Sequence, residues 1–320
     1  MSSASLLPHF LQPLAASTSS LSEIPVDASF RHSQTLGNAN AHCLWWPNIA
    51  EEPSTVLLFV PGNPGLAGFY IPYLKHIHDS SSESIAILAH SMLGHSPKVS
   101  TAYCSLQSQV EAIIEVIDAL RERFDSSVNL VLVGHSVGAW VVLQAIKERQ
   151  QAITSVFLLF PTITHIVKTP NGNRLSWLFR SPIRILVSNL SRLLRLFPKG
   201  AVARLFKDWP PEQFDVLWSF LNSPASILNS LAMANEEMQT IKELDVTLLD
   251  AVKHKLYIYL AEQDDWVGEN KRAILREMAD EPHSVRVIHG EHGIPHAYCI
   301  NHGNVLAEEC LKWLQDKPFQ

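Results

Sequence analysis

The residues best placed to do chemistry sit in Gly134-His135-Ser136-Val137-Gly138. A serine held at a sharp turn between a strand and a helix projects its hydroxyl clear of the backbone. The turn is so tight that side chains two residues before and after would collide, and glycines at 134 and 138 remove that collision. The flanks fit such a turn. Leu130 to Val133 reads as a buried parallel strand, and Ala139 to Lys147 as a helix too apolar for the surface. Ser136 is therefore the candidate nucleophile for acyl chemistry. A serine hydroxyl attacks poorly until a base takes its proton, and the base needs an acid to set its tautomer. On folds that carry this turn the three follow in the order serine, acid, histidine. Asp264 and Asp265 compete for the acid. A superfamily pattern of acid, any residue and an apolar pair fits Asp264-Asp265-Trp266-Val267 and favours Asp264. His296 is the candidate base, with His292 and His289 as competitors in the same loop region. His90 and His95 precede the serine and read as loop or pocket-wall residues. Negative charge growing on a carbonyl oxygen needs main-chain N–H donors aimed at it. Val137, just after the serine, and Asn63, in the loop after an earlier strand, are the candidates for that oxyanion hole.

These groups must be held by a framework, and the hydrophobic pattern supplies one. Residues Phe30 to Pro47 hold the first strands by a weak pattern, and Thr55 to Val60 is a clear buried strand. It runs into Pro61-Gly62-Asn63-Pro64-Gly65, where glycine and proline forbid regular structure. Ser84 to His90 is the next strand. Ser105 to Phe124 places Val110, Ile113, Ile114, Ile117 and Leu120 at helical spacing with charges opposite. Ser155 to Phe160 and Lys255 to Leu260 are further buried strands. A helix follows at Asn270 to Ala279, a strand at Ser284 to His289 and a last helix at Val305 to Gln315. Strands alternating with helices imply an α/β class with a mostly parallel, doubly wound sheet whose sites form at the carboxyl ends of its strands. Residues 162–252 break the alternation, are helical in pattern and are punctuated by prolines. They read as a helical cap inserted into a core of residues 30–161 and 253–320, with residues 1–29 as a loose N-terminal tail.

Composition narrows the function classes. A chain of 320 residues, 47% hydrophobic and 18% charged, can bury one large core. Cys43, Cys104, Cys299 and Cys310 lack metal-ligand spacing, and His289, His292 and His296 lack the pattern of a zinc helix. The expectation is reduced thiols in an intracellular protein, with no metal and no cofactor. A net charge of −6 and a pI near 6.2 argue against a nucleic-acid partner. No apolar run reaches the roughly 18 residues of a membrane span. The N-terminus lacks the basic start of a signal peptide.

The average charge conceals a basic block. Between Lys168 and Lys207 the chain carries nine lysines and arginines and no acid. Within it Ser181-Pro182 reads as an N-cap with a first-turn proline, and Pro198 as a stop. Between them Ile183, Leu186, Val187, Leu190, Leu193, Leu194 and Phe197 fall on one helical face, with Arg184, Ser188, Arg192 and Arg195 on the other. The pattern is that of a helix lying in a lipid interface, so the basic amphipathic cap is expected to dock the protein on a droplet or membrane surface; a stripe packed on the core is the alternative.

Together, Pro61-Gly62-Asn63-Pro64-Gly65 with Phe69-Tyr70, Gly134-His135-Ser136-Val137-Gly138-Ala139, Asp264 with Trp266, and Pro295-His296-Ala297-Tyr298 resemble the lipid droplet-associated serine hydrolases of the α/β-hydrolase superfamily. The resemblance covers the chain from about Thr55 to the C-terminus. It departs at Gly268, where such sequences usually have proline, and at Tyr298, where they often have phenylalanine. It implies an α/β-hydrolase fold and a triad of Ser136, Asp264 and His296. It also implies neutral lipid esters, such as sterol esters or acylglycerols, as substrates, and a place on the lipid droplet surface or the cytosolic face of the endoplasmic reticulum. A droplet-binding structural protein with a vestigial site, and an acyltransferase or thioesterase using the same acyl-enzyme, are the alternatives.

Overall fold

The computed structural model describes residues 7–14, 24–48, 52–82, 84–278, 286–290 and 293–316. Nine strands form one sheet: β1 (Leu11–Pro13), β2 (Val26–Arg31), β3 (Asn40–Trp46), β4 (Thr55–Val60), β5 (Ile85–His90), β6 (Asn129–His135), β7 (Ser155–Leu159), β8 (Leu256–Leu260) and β9 (Arg286–His289). Their order across the sheet is β1-β2-β3-β5-β4-β6-β7-β8-β9. The pairs from β1 to β5 are antiparallel. From β5 through β4 to β9 all pairs are parallel. The order reverses around β4, so a crevice opens at the carboxyl ends of β4 and β6, where both candidate oxyanion donors lie.

Eleven α-helices accompany the sheet among the described residues. On the core are α1 (Ile71–Ser80), α2 (Leu106–Arg123) and α3 (Val137–Arg149). In the insertion are α4 (Pro170–Leu175), α5 (Ile183–Leu190), α6 (Lys199–Ala203), α7 (Pro211–Leu221), α8 (Pro224–Thr240) and α9 (Val246–Val252). The core resumes with α10 (Asn270–Met278) and α11 (Gly303–Gln315). Strand β4 shows how the layers arise. Val56, Leu58 and Val60 enter the core on the side of α2 and α3. Leu57 and Phe59 enter the one on the side of α1 and α11. Alternate side chains of a strand point to opposite faces, so a strand apolar at every position is one covered twice.

Two expectations need correction. The N-terminal stretch expected as a loose tail through residue 29 contributes β1 and most of β2 to the sheet. Val26, Ala28 and Phe30 alternate into the core. That pattern is too short to stand out locally, and pairing with β3 stabilises it. The helix expected between Ser181 and Pro198 is α5 followed by a tighter 3₁₀ segment at Ser191–Leu196, and Pro182, not Ser181, occupies the N-cap. Ser188 Oγ donates to the Ile185 carbonyl at 3.0 Å and Ser191 Oγ to the Ser188 carbonyl at 2.7 Å. Serine hydroxyls that bond back to the helix in this way compete with its own ladder.

Candidate active site

At the end of β6 the chain turns into α3 through Ser136, whose φ of 55° and ψ of −124° are sterically unfavourable for a residue with a side chain. Holding such a conformation costs about 1–3 kcal/mol and needs surroundings that enforce it. Those surroundings are close. A Cβ on Gly138 would stand 2.3 Å from the Val60 carbonyl oxygen, and one on Gly134 would stand 2.6 Å from the Ala139 Cα. Only glycine lets β6, α3 and the end of β4 meet at this distance.

Ser136 Oγ lies 2.9 Å from His296 Nε2. His296 Nδ1 lies 2.8 Å from Asp264 Oδ2. The other carboxylate oxygen of Asp264 accepts from the main-chain N–H of Trp266 at 2.8 Å and of Val267 at 3.1 Å. Burial pushes the Asp264 carboxyl up, but His296 and those two N–H donors outweigh it and hold the group below the usual carboxylate range. Since an ionised carboxylate only accepts, it draws the imidazole proton to Nδ1 and leaves Nε2 free to accept from the serine. Asp265 is exposed and points its main-chain carbonyl at the Asn171 N–H. His289 lies on β9, and His292 falls outside the described residues.

The main-chain N–H of Val137 opens α3, and that of Asn63 lies in the loop after β4. Among the described residues neither has an acceptor, whereas the Gly62 N–H is used by Tyr70 Oη at 3.2 Å. The Asn63 loop is pinned on several sides. Gly65 N–H donates to His95 Nδ1 at 2.9 Å and Ala67 N–H to Ser91 Oγ at 3.1 Å. The Asn63 amide donates to the Ser230 carbonyl at 2.9 Å and to Glu237 Oε1 at 2.8 Å, both on α8.

Reasoning from the sequence missed a relay behind the site. His135 Nε2 is 2.9 Å from the main-chain oxygen of His296, which can only accept, so Nε2 carries the proton. Burial holds this imidazole well below its ordinary pKa, so it is neutral. Its Nδ1 then accepts from Tyr70 Oη at 2.7 Å. The loop carrying His296 is thus tied to the loop carrying Asn63 through His135 and Tyr70. Glu237 was missed as well, although a signal existed: on α8 it shares a helical face with Ile227, Ser230 and Ala234, all of which line the cavity.

That cavity, about 460 Å³, has Ser136 and His296 on its wall and Phe179, Val187, Leu217, Phe220, Leu231 and Met238 of the insertion facing them. It is the apolar, partly open space that a ligand with hydrocarbon parts would fill. Trp266 lines the cavity, and the turn that carries Asp264, Trp266 and Val267 is closed by Gly268, whose φ is +56° and whose N–H donates to the Asp264 carbonyl at 2.7 Å. Proline, with φ near −65° and no N–H, could do neither. Glycine suits this position on both counts.

The fold is shared with solved α/β-hydrolases. It superimposes on a 2-hydroxy-6-oxo-6-phenylhexa-2,4-dienoate hydrolase from Rhodococcus with a TM-score of 0.63 at 16% identity, covering 91% of this chain and 99% of the other. On a haloalkane dehalogenase from Agrobacterium tumefaciens the TM-score is 0.64 at 14% identity, covering 90% and 96%. Likeness at such identities speaks for the fold alone. In sequence, the chain is 25% identical to the lipid droplet-associated hydrolase of Mus musculus over 92% of its own length and 97% of the relative's. It is 23% identical to that of Dictyostelium discoideum over 83% and 89%. The model of the lipid-droplet associated hydrolase family matches residues 53–299, a span that includes β4, the glycine-flanked serine, the whole insertion and the loop of His296, and the chain accordingly belongs to that family.

Proposed function

We propose that this protein is a serine hydrolase that cleaves the carboxylic esters of neutral lipids, sterol esters or acylglycerols, at the surface of lipid droplets. The observation that carries this reading is the unbroken hydrogen-bonded chain Ser136–His296–Asp264 opening onto an apolar cavity. In the reaction, His296 Nε2 takes the Ser136 proton as Oγ attacks the ester carbonyl carbon. The carbonyl oxygen becomes negative and is met by the N–H groups of Val137 and Asn63. The C–O bond to the alcohol then breaks, the alcohol leaving with the proton from His296, and Ser136 holds the acyl group. Water, deprotonated by His296, attacks that ester in the same way and releases the fatty acid and Ser136. Asp264 keeps the imidazole in the accepting tautomer and stabilises its charged form throughout. Donors aimed at the developing oxyanion are worth roughly 3–4 kcal/mol each.

The surface over the cavity supports the droplet part of the reading. On α5 and the turn after it, the buried residues are Ser188 and Ser191, while Leu186, Leu190, Leu193 and Phe197 are turned to solvent. Leu196 and Leu205, 76% and 81% exposed, are further apolar side chains turned to solvent in the insertion. Arg180, Arg192, Arg195 and Arg204 stand in the same stretch. A fully buried leucine contributes roughly 1.5–3 kcal/mol and each basic residue near an anionic lipid surface about 1 kcal/mol, so partial insertion would hold the protein there. Val187, on the other side of α5, lines the cavity. One helix thus separates lipid from active site, the arrangement needed to admit substrate from the surface. Among the described residues no helix is long and apolar enough to cross a membrane, so interfacial seating fits better than insertion of a span.

The test is covalent labelling with a fluorophosphonate probe, which needs an activated serine. The wild type labels and Ser136→Ala does not. An unlabelled folded wild type, or undiminished labelling of Ser136→Ala, refutes the hydrolase reading.

A further inference from the structure

The cap and the core meet at Asn63. Its main-chain N–H is the oxyanion donor of the proposed hydrolase mechanism, and the role assigned to Glu237 rests on that mechanism. The Asn63 side chain belongs to a different contact. Both hydrogens of its amide are spent on α8, one on the Ser230 carbonyl at 2.9 Å and one on Glu237 Oε1 at 2.8 Å. Ser230 and Glu237 are seven residues apart, two helical turns, and so present their oxygens along one line of the helix. Glu237 is 4% exposed, lines the cavity and sits on the apolar face of α8. A buried acid in that position needs an explanation, because leucine or methionine would pack there without desolvating a polar group.

We propose that Glu237 is a positioning residue: by holding the Asn63 side chain it aims the Asn63 main-chain N–H at the oxygen that becomes negative, so the oxyanion hole is complete only while α8 is seated on the core. This makes the lipid-facing cap part of the catalytic geometry. Helix α5 packs on α8, so a lipid surface that orders α5 also favours the seat of Glu237 against Asn63.

The chemistry of the carboxyl refines the test. Burial pushes Glu237 up to about 8, with the Asn63 hydrogen bond the one opposing influence. Other charges on elements packed against α8 are engaged or exposed. Arg184 on α5 donates to the Phe179 carbonyl, and Lys168 lies exposed before α4. Asp215 on α7 pairs with Lys199, and Glu212 is exposed. Glu236, beside it on α8, accepts from Tyr103 and from the Leu106 N–H, with Glu111 of α2 bonded to Gln107. Across the cavity His135 and His296 are committed to Tyr70 and Asp264. At neutral pH the Glu237 carboxyl is therefore protonated, and it orients Asn63 without placing a charge beside the oxyanion. As pH rises through about 8 the carboxylate forms. A negative charge next to a second, developing one raises the barrier.

The experiment compares wild type, Glu237→Gln and Glu237→Leu on a short soluble ester between pH 6 and 9.5, with spontaneous hydrolysis subtracted and fluorophosphonate labelling as a check of the serine. Glutamine still accepts from Asn63 and cannot ionise: its kcat at pH 7 stays within about threefold of wild type, and the fall in wild-type kcat through about pH 8 is absent. Leucine leaves an Asn63 donor unpaired: kcat falls roughly 10- to 100-fold with KM changed less than about twofold, part of what loss of a whole oxyanion donor costs. A Glu237→Leu enzyme with wild-type kcat, or a Glu237→Gln enzyme with the same alkaline fall as wild type, overturns the proposal. If Glu237→Leu does not fold, the alkaline limb of Glu237→Gln decides alone. A wild type that neither labels nor hydrolyses any ester overturns the hydrolase reading itself, which a failure confined to the Glu237 variants leaves standing.

Discussion

Replacing Asp264 by asparagine should inactivate the enzyme without disturbing its packing, and the hydrogen bonds say why. Asp264 Oδ1 accepts from two main-chain N–H groups, of Trp266 and Val267, and Oδ2 faces His296 Nδ1. An asparagine in this place has one accepting oxygen. Two donors at 2.8 and 3.1 Å claim it, since turning the NH₂ toward them would leave three N–H groups facing one another. The NH₂ must then face His296 and force Nδ1 to accept. The imidazole proton moves to Nε2, 2.9 Å from Ser136 Oγ, where a base is needed and a donor now stands. A wrong tautomer of this kind costs about 10⁴ in kcat, equivalent to about 5.5 kcal/mol. Asp265, exposed and outside this network, should tolerate the same change within about threefold. The assay is steady-state hydrolysis of a short p-nitrophenyl ester by both variants, with thermal melting to verify the fold. Equal losses in the two, or a larger loss in Asp265→Asn, would refute the tautomer argument and the choice of acid together.

Two more outcomes are expected from the cap and the acid loop. The double substitution Leu190→Asp and Leu193→Asp puts charge on side chains about half exposed, so the protein still folds and still cleaves a soluble short ester, but it no longer floats with lipid droplets; a folded variant that still floats defeats the proposed docking face. Gly268→Pro removes the N–H that bonds the Asp264 carbonyl and demands a φ far from +56°, for a loss of about 3 kcal/mol. At roughly 2 °C per kcal/mol for a chain of this size, the melting temperature falls by roughly 6 °C, and an unchanged melting temperature contradicts the account of that turn.

How much of the fold and site was legible in the sequence depended on the range of the physics involved. The parallel strands could be read because a strand buried on both faces is apolar along its length, as Val56 to Val60 and Leu256 to Leu260 are. The elbow could be read because its collisions are local: Gly134, Ser136 and Gly138 lie within five residues, and the spacing itself carries the steric constraint. The order of serine, acid and histidine along the chain put forward Ser136, Asp264 and His296, which the fold brings within hydrogen-bonding distance. Strands β1 and β2 escaped because strands of three and six residues at or next to the sheet edge are stabilised by their neighbours more than by their own pattern. The outward turn of Leu186, Leu190 and Leu193 could not be decided from an amphipathic pattern, which looks the same whether its apolar face meets core or solvent; the inward Ser188 and Ser191 decided it. The relay from Tyr70 through His135 to His296, and the clasp of Glu237 on Asn63, join residues 65, 161 and 174 positions apart. Hydrogen bonds of that kind are set by side-chain directions after the sheet and cap have packed, so only the tertiary structure could pair them.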